Sequence, residues 1–345
     1  MTKNDQIVNS IVDTFDSHLG FLRHRYQYHY ALRRFRVDNN SKYVQPILTD
    51  FQMRSLKWFP KLTSLSEKGF IEGEATRMAN SYPDSSEKKA LRKKVYLKNP
   101  QILFYNNLLL YLFLAKTYYL DFLEGFKEEF EKAINHLKEV DFENILFDEG
   151  IIEHNPSAVA NCVYYLQFLE VVDLEDKLHT KFKAFWLEKA TNSALSNKHK
   201  VYAMTHVIIA ASYYYQRILK KDKFDWILTF FEKEFDWIVK NTNADIVGEV
   251  GLCFRLCGLH DHEIVKKASD HVISKFDEKE GLIPKEEGKS GHEKLEHRNS
   301  VSLLLLSDYE EFCLGPNLYI LMREKGRTLY LPEKGKFVGV DEDED

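Results

Sequence analysis

From Asn99 onward the chain alternates between two kinds of predicted helix. The stretch from Asn243 to Gly258 shows the first kind, in which Asn243 or Asp245 can cap the start and Gly258 can end the helix in a left-handed conformation. Nearly every residue between these ends is apolar, so we expect the helix to be buried on most sides. Glu249 falls in its second turn, where a carboxylate needs a polar partner or a wet cavity.

The same apolar design recurs along the chain, each time followed by an amphipathic helix. Asn99-Pro100 and Asn155-Pro156 each place a capping residue before a proline at the first helical position. The pattern predicts nearly apolar helices after these two caps and at 198–219, 243–257 and 297–312, with amphipathic partners at 126–139, 174–193, 223–240 and 261–276. Pairs of this kind form helical hairpins of about 45 residues.

The first 98 residues follow a less regular pattern. Apolar spacing predicts one long helix over residues 5–36 and another over 44–66, broken at Pro60. The segment RHRYQYHYALRRFR interleaves bases with aromatic residues, so it can be a phosphate or nucleic-acid surface. It can also be an amphipathic helix with Tyr26, Tyr30 and Phe35 inward and a solvated basic face. The neutral charge of the body favours this second interpretation.

These helices predict an all-α protein. Alternating buried and amphipathic helices fit either an open solenoid or a closed α/α toroid of about six hairpins, with parallel inner helices and an outer ring. The apolarity of the inner set favours the toroid, in which the Asn99 and Asn155 helices run side by side and parallel. We therefore expect one toroid domain over 1–325, with irregular helices over 1–98 and regular hairpins over 99–325, and a C-terminal extension over 326–345 that ends in an acidic tail.

Three segments carry a resemblance to known proteins at the level of fold. The loop KFDEKEGLIPKEE, the following EHRNSVSLLLL and the segment THVIIAASYYY look like the linkers and inner helices of α/α-toroid proteins. The resemblance covers roughly residues 99–312. That superfamily includes glycosidases, polysaccharide lyases, sugar epimerases, prenyltransferases, and terpene and peptide cyclases. The resemblance implies the fold and no specific member, because one fold hosts many functions.

Composition indicates which partners and which cellular compartment to expect. The net charge of −5 equals the five acids Asp341–Asp345, so the remaining chain is neutral and we expect neither nucleic acid nor a membrane as partner. The four cysteines lie in apolar helical stretches and form no C-x-x-C pair, which predicts reduced thiols in the cytoplasm. No apolar run approaches the ~20 residues that a bilayer requires. Oligomeric state is left open.

Polar residues inside the apolar helices are the candidate site. Parallel inner helices bring residues of equal depth together, so we expect the polar residues near each second turn to converge on one cavity, with the helix N-termini favouring an anion. Glu249, His206 and His297 are the predicted catalytic residues. The predicted substrate-binding residues are Arg298, Glu296, Asn161, Tyr105, Asn106, His154 at the rim, and Asp245. Each can instead be a structural hydrogen-bonding residue within the core.

Two functions remain open from the sequence. The first is an enzyme, hydrolase- or lyase-like, that acts by general acid–base chemistry on a carbohydrate-like, polar or anionic substrate, which can be a small molecule or an oligosaccharide. The second is a non-catalytic helical-repeat scaffold for a peptide or protein. No cofactor is expected, although His206, Glu249 and His297 are together a chemically reasonable ligand set for a divalent metal.

Overall fold

A computed structural model describes residues 3–188, 194–284, 298–307, 316–318, 329–331 and 336–338. It confirms an all-α protein. The α-helices, in chain order, are α1 Lys3–His18, α2 His24–Asp38, α3 Val44–Thr63, α4 Phe70–Asn80, α5 Glu87–Lys98, α6 Pro100–Thr117, α7 Lys127–Lys138, α8 Phe142–Leu146, α9 Glu149–His154, α10 Pro156–Phe168, α11 Glu175–Lys183, α12 Ala194–Ala211, α13 Asp225–Asn241, α14 Ala244–Leu256, α15 Glu263–Ser274 and α16 Arg298–Leu306.

Shorter elements complete the described chain. A π-helical turn over Ala184–Glu188 continues α11, and the strands β1 Leu329–Leu331 and β2 Lys336–Val338 pair antiparallel. The chain divides into two compact units. Unit 1 comprises Met1–Asp50 and Ser193–Pro316, and unit 2 comprises Phe51–Asn192 and Asn317–Asp345. The prediction of a single domain over 1–325 stays a prediction.

The predicted long helix over 5–36 is wrong, because the chain breaks between α1 and α2. A 3-10 turn over Leu19–Phe21 follows α1, and the extended backbone of Leu22 and Arg23 separates this turn from α2. The break folds α2 back onto α1, where Tyr30 stacks on Phe15 with ring centroids 4.8 Å apart and donates to Asp16 at 2.8 Å. Burial of these aromatic rings outweighs the continuity of the helix. The predicted break at Pro60 is also wrong, since α3 runs on to Thr63.

In unit 2, α6 and α10 are parallel neighbours, as predicted. Near their starts, the Cys162 thiol lies 3.7 Å from Asn106 Oδ1, and nearer their ends Phe113 packs on Tyr165 with ring centroids 4.6 Å apart. Because these two contacts follow the same order along both helices, the two helices are parallel. The prolines begin the two helices as predicted, although neither Asn99 nor Asn155 caps with its side chain.

Unit 1 contains a second parallel set formed by α12, α14 and α16. Thr205 of α12 contacts Glu249 of α14, and the segment after α12 meets the end of α14 through the Leu219 N–H and the Leu256 carbonyl at 2.7 Å. Gly248 faces Val301 of α16, and the same order continues at the helix ends. There Arg255 donates to the carbonyls of Leu304, Leu305 and Ser307. Parallel inner helices agree with the toroid, whose closure stays a prediction.

Helix α14 packs very closely against its neighbours because it carries glycine at two buried positions. A Cβ atom on Gly251 would lie 2.6 Å from Ala268 Cβ of α15 and 3.0 Å from Leu305 Cδ1 of α16. Contacts this short are repulsive, so the absence of a side chain sets the distance between the three helices. Asn243 caps α14 by accepting from the Ile246 N–H at 3.1 Å, and Gly258 has the left-handed φ of +75° expected at its end.

We predict that Gly251→Ala lowers the free energy of unfolding by about 1–3 kcal/mol, because the new methyl group overpacks the interface of three helices. Gly73→Ala is the matched control, since Gly73 lies in α4 and a Cβ there meets no atom within 4 Å. The control should be neutral or stabilising by about 0.5–1 kcal/mol. Denaturant unfolding of both variants measures the difference, and equal effects would contradict the packing argument.

Candidate functional site

Glu249 lies in the core of unit 1, where α14 is covered by α12, α13, α15 and α16. Glu249 is only 4% exposed. The Thr205 hydroxyl of α12 donates to Glu249 Oε2 at 2.9 Å in a fully buried hydrogen bond. The inter-helix partner expected for this carboxyl is therefore a neutral hydroxyl, while Arg255 donates instead to the carbonyls at the end of α16.

Burial raises the pKa of Glu249 to about 8, from an ordinary value of 4.5. The carboxylate of Asp245, one helical turn earlier, raises this pKa further by repulsion, whereas the Thr205 hydrogen bond and the charge of Arg33 lower it. Glu249 is thus protonated at neutral pH and releases its proton at a pH only slightly above neutral. A carboxyl group with such a pKa can act as either acid or base near pH 7–8.

Thr205 can hydrogen-bond Glu249 in both of its protonation states. Its hydroxyl carries one proton and also lies 3.1 Å from the Tyr202 carbonyl. When Glu249 is ionised, Thr205 donates to the carboxylate. When Glu249 is protonated, the carboxyl can donate to Thr205, whose own proton then goes to the Tyr202 carbonyl. The carboxyl therefore keeps a hydrogen bond through a complete cycle of proton uptake and release.

His206 lies directly beside this hydroxyl. Its Nδ1 is 3.4 Å from Thr205 Oγ1 and 3.0 Å from the Tyr202 carbonyl, and its ring packs on that of Tyr202 with centroids 3.9 Å apart. Two of the three predicted catalytic residues, Glu249 and His206, are therefore both adjacent to Thr205.

A recess with about 10 Å³ of free volume, room for about one water molecule, lies at the start of α14, on the side of Asp245. Its lining combines a carboxylate, an ammonium, a hydroxyl and an amide with two apolar side chains and one small residue, from Asp245, Lys275, Ser302, Asn243, Ile283, Pro284 and Ala244. Asp245 is thus the carboxyl at the recess and Glu249 the carboxyl one turn deeper. The two side chains are close enough for each charge to affect the other.

The predicted site residues of unit 2 form contacts of their own. Tyr105 and His136 lie 3.3 Å apart between the hydroxyl and Nε2, and Asn106 accepts from Cys162 as described above. Asn161 Oδ1 is buried and has no hydrogen-bond partner in the part of the chain that the structure describes. The His154 carbonyl accepts from Arg92 Nε at 3.0 Å. Their predicted convergence with Glu249 stays a prediction.

Three predicted residues cannot be placed in this site. Glu296 and His297 lie outside the described residues, and of Arg298 only the backbone, at the start of α16, is described. The acidic tail Asp341–Asp345 and Cys313 also lie outside them.

Thr205 and Arg33 both act on Glu249, and the sequence interpretation named neither as a site residue. The solvated basic face predicted for α2 is wrong at three positions, since Arg33, Arg34 and Arg36 are 7%, 9% and 1% exposed. The Arg33 guanidinium carbon lies 5.7 Å from the centroid of the Tyr215 ring, and its positive charge lowers the pKa of Glu249. Helical spacing gave a usable signal, because an arginine three residues after Tyr30 falls on the same face as that buried ring.

A strained turn brings Tyr215 into this core. Tyr213, Tyr214 and Tyr215 have φ values of +52°, +57° and +71°, a left-handed conformation that costs an L-residue about 1–2 kcal/mol. Ser212 holds the turn, since its hydroxyl donates to the Ile209 carbonyl at 2.7 Å and accepts from the Tyr215 N–H at 2.9 Å. Strain of this kind persists where surrounding contacts over-determine the backbone, often near functional sites.

Within the described ranges, no three His, Cys, Asp or Glu side chains come together as a metal-binding group. None of the described helices has both the length and the apolar character needed to cross a membrane. Cys162, Cys253 and Cys257 are buried free thiols, and burial raises the pKa of each.

Comparison with known proteins identifies the family. A family profile described as "Domain of unknown function (DUF3541)" matches residues 4–331. The chain belongs to the DUF3541 family. The match to DUF3541 runs from the second residue of α1 to the end of β1 and so includes helices of both units. No curated protein matches the chain, and no solved structure does. The resemblance to α/α-toroid proteins therefore stays a prediction.

We predict that Glu249→Gln gains stability relative to the wild type as pH rises from about 5 to 8. The folded wild type keeps the Glu249 proton over this window, whereas the unfolded chain, with a pKa near 4.5, releases it. Unfolding then releases a proton, so wild-type stability falls with rising pH and levels off above the folded pKa. The relative gain should reach several kcal/mol, at about 1.4 kcal/mol per pKa unit.

Denaturant melts of the two proteins at pH 5, 6.5, 8 and 9 measure this difference, in which titrating groups that do not interact with Glu249 cancel. A loss of about 3–5 kcal/mol in Glu249→Gln at every pH would instead identify a structural ion pair.

A second prediction concerns the left-handed turn. Ser212→Ala should lower the free energy of unfolding by about 1–3 kcal/mol, because a buried backbone N–H loses its acceptor. Ser274→Ala is the matched control, since the exposed Ser274 hydroxyl also donates to the carbonyl three residues earlier, at 2.7 Å. Thermal unfolding should show a change below about 0.5 kcal/mol for this control. Equal losses would mean that Ser212 does not hold the turn.

Proposed function

We propose that this DUF3541 protein is an enzyme that uses Glu249 and Asp245 for general acid–base chemistry. The observation that carries the proposal is a carboxyl pair on one face of α14, with one member at a recess and the other buried with a pKa of about 8. Two carboxyl groups in different environments ionise at different pH, so one can donate a proton while the other accepts one. His206, beside Thr205, is the second proton-transfer group.

The recess favours a polyhydroxylated, carbohydrate-like substrate. Carboxylate, hydroxyl, amide and ammonium groups offer both donors and acceptors to one hydroxyl group of such a substrate. The recess has about 10 Å³ of free volume, so it admits a group of that size and the sugar ring would lie outside it. Hydrolysis and elimination both need one group that takes a proton and one that gives it, so the reaction is hydrolase- or lyase-like.

We further propose the α/α toroid as the fold that presents this site. Parallel inner helices within each unit support it, because a toroid requires its inner helices to run the same way. Buried free thiols support a reducing compartment such as the cytoplasm.

Turnover on a panel of substrates tests the proposed enzymatic activity. Aryl glycosides and neutral oligosaccharides report hydrolysis through released phenol or reducing ends, and uronic-acid polymers report elimination through the ultraviolet absorbance of the unsaturated product. We predict turnover by the wild type and a loss of about 100-fold or more in Glu249→Gln and Asp245→Asn, with folding retained.

Glu129→Gln is the matched control for this assay. Glu129 is 6% exposed, similar to Glu249, but lies in α7 of unit 2 and bonds Lys132. It should retain wild-type turnover. Full activity in Glu249→Gln would contradict the catalytic assignment, and an inactive wild type across the panel would favour the non-catalytic scaffold for a peptide or protein.

A further inference from the structure

The Thr205 hydroxyl lies between a buried carboxyl group and a half-buried imidazole. Glu249 Oε2 is 2.9 Å from Thr205 Oγ1, and His206 Nδ1 is 3.4 Å from the same oxygen. Thr205 is 0% exposed, whereas His206 is half-buried and so has part of its surface in water. One hydroxyl group therefore connects a carboxyl in the core to a side chain that solvent reaches.

The backbone of α12 fixes this arrangement. The Tyr202 carbonyl lies 3.1 Å from Thr205 Oγ1 and 3.0 Å from His206 Nδ1, because side chains three and four residues later can reach back to one helical carbonyl. The His206 ring also packs on the Tyr202 ring, with centroids 3.9 Å apart, which orients the imidazole. These contacts bring Thr205 and His206 together, although consecutive side chains of a helix do not normally face each other.

The shared carbonyl permits two hydrogen-bond patterns around Thr205. When His206 Nδ1 carries a proton, it can donate to the Tyr202 carbonyl, and the Thr205 hydroxyl donates to the Glu249 carboxylate. When Nδ1 carries no proton, Thr205 can donate to Nδ1 and accept from the protonated Glu249 carboxyl. The two patterns differ only in the position of one proton, which lies on Glu249 in one and on His206 in the other.

We infer that Thr205 is a positioning residue that passes the proton of Glu249 to His206. The carboxyl O–H bond of Glu249 breaks as a new O–H bond forms at Thr205 Oγ1, and the original hydroxyl proton of Thr205 moves to His206 Nδ1. The products are a carboxylate, a neutral hydroxyl and an imidazolium, so one proton is transferred and Thr205 is unchanged. The imidazolium then releases a proton to water, and the reverse sequence protonates Glu249 again.

This inference deepens the proposed function, on which its catalytic meaning rests. A general acid–base group must lose and regain its proton in each turnover, and Glu249 is only 4% exposed to the water that would exchange it. Transfer to His206 also places a positive charge near the carboxylate, which offsets part of the cost of ionising Glu249 in the core. The proton transfer itself needs no substrate to be measured.

Other titratable groups near Glu249 define the competing route for its proton. Asp245 and Cys253 lie on α14 with Glu249, Tyr215 follows α12, and Arg33 comes from α2. Asp245 lines the recess one helical turn from Glu249. Exchange through the recess is therefore the alternative to exchange through Thr205.

Hydrogen–deuterium exchange of the Glu249 carboxyl tests this route. At about pH 6 an ordinary carboxyl is ionised and Glu249 is protonated, so its carbonyl stretch is the infrared band that Glu249→Gln removes. Transfer into heavy water lowers the frequency of this band as deuterium replaces the proton. We predict that Thr205→Val, which keeps the side-chain shape but lacks the hydroxyl, slows this exchange by about tenfold or more. Thr205→Ser keeps the hydroxyl and should restore most of the wild-type rate.

Two further variants complete the comparison. His206→Phe keeps an aromatic ring against Tyr202 but removes Nδ1, so it should slow the exchange to a similar degree. Thr242→Val is the matched control, because the Thr242 hydroxyl also bonds a helical carbonyl of unit 1, that of Ile238 at 2.7 Å. It should leave the rate unchanged. Amide exchange along α14, measured in the same samples, corrects each rate for local opening of the helix.

A wild-type exchange rate in Thr205→Val would overturn the inference, because Thr205 would then be a structural hydrogen-bond partner alone. A wild-type rate in His206→Phe would also overturn it, and slowing in Asp245→Asn alone would assign the exchange to the recess. Should Thr205→Val fail to fold, His206→Phe decides, since it interrupts the same route at its solvent-exposed end.

The outcome is separate from that of the turnover panel. Slowed exchange in Thr205→Val of a protein without turnover keeps the proton route and rejects the enzyme. Unchanged exchange in Thr205→Val of an active enzyme rejects the route and keeps the enzyme.

Discussion

The close packing of α14 is the constraint on which the rest of unit 1 depends. Its neighbours approach so closely that Gly251 leaves no room for a methyl group against Ala268 and Leu305. Packing at this distance withdraws the Glu249 side chain from water, so that the residue is only 4% exposed. The high pKa of this carboxyl is thus a direct result of helix packing, since a carboxylate is stable in water and unstable without it.

The pKa of Glu249 is set by effects that act in opposite directions. Dehydration and the neighbouring Asp245 favour the protonated form, while Thr205 and Arg33 favour the ionised form. The resulting pKa of Glu249, about 8, lies close to neutral pH, where a group exchanges its proton readily. A core built for stability alone would place an apolar side chain here, because replacing buried ionisable groups by packed apolar ones is often neutral or stabilising.

Unfavourable local features cluster around the same carboxyl. The three left-handed tyrosines, the dehydrated Arg33 and the buried Glu249 each oppose folding when considered alone. The turn brings the Tyr215 ring beside Arg33, and the positive charge of Arg33 favours the ionised form of Glu249. Departures of this kind from local preference are typical of sites that are retained for a purpose other than stability.

The sequence by itself determined the features that depend on neighbouring residues. Asn243 and Gly258 marked the ends of α14, the Asn-Pro pairs marked the starts of α6 and α10, and the apolar runs marked which helices are buried, because caps and periodicity act within a few residues. Only the tertiary structure decided the break after α1, the burial of Arg33 and the left-handed turn at Tyr213–Tyr215. In each case a contact between segments far apart in the chain outweighed the local preference, as when Arg33 of α2 meets Tyr215 and acts on Glu249 of α14. Sequence spacing carries no record of such distant partners, so the burial of Arg33 beside Tyr215 could be found only in three dimensions.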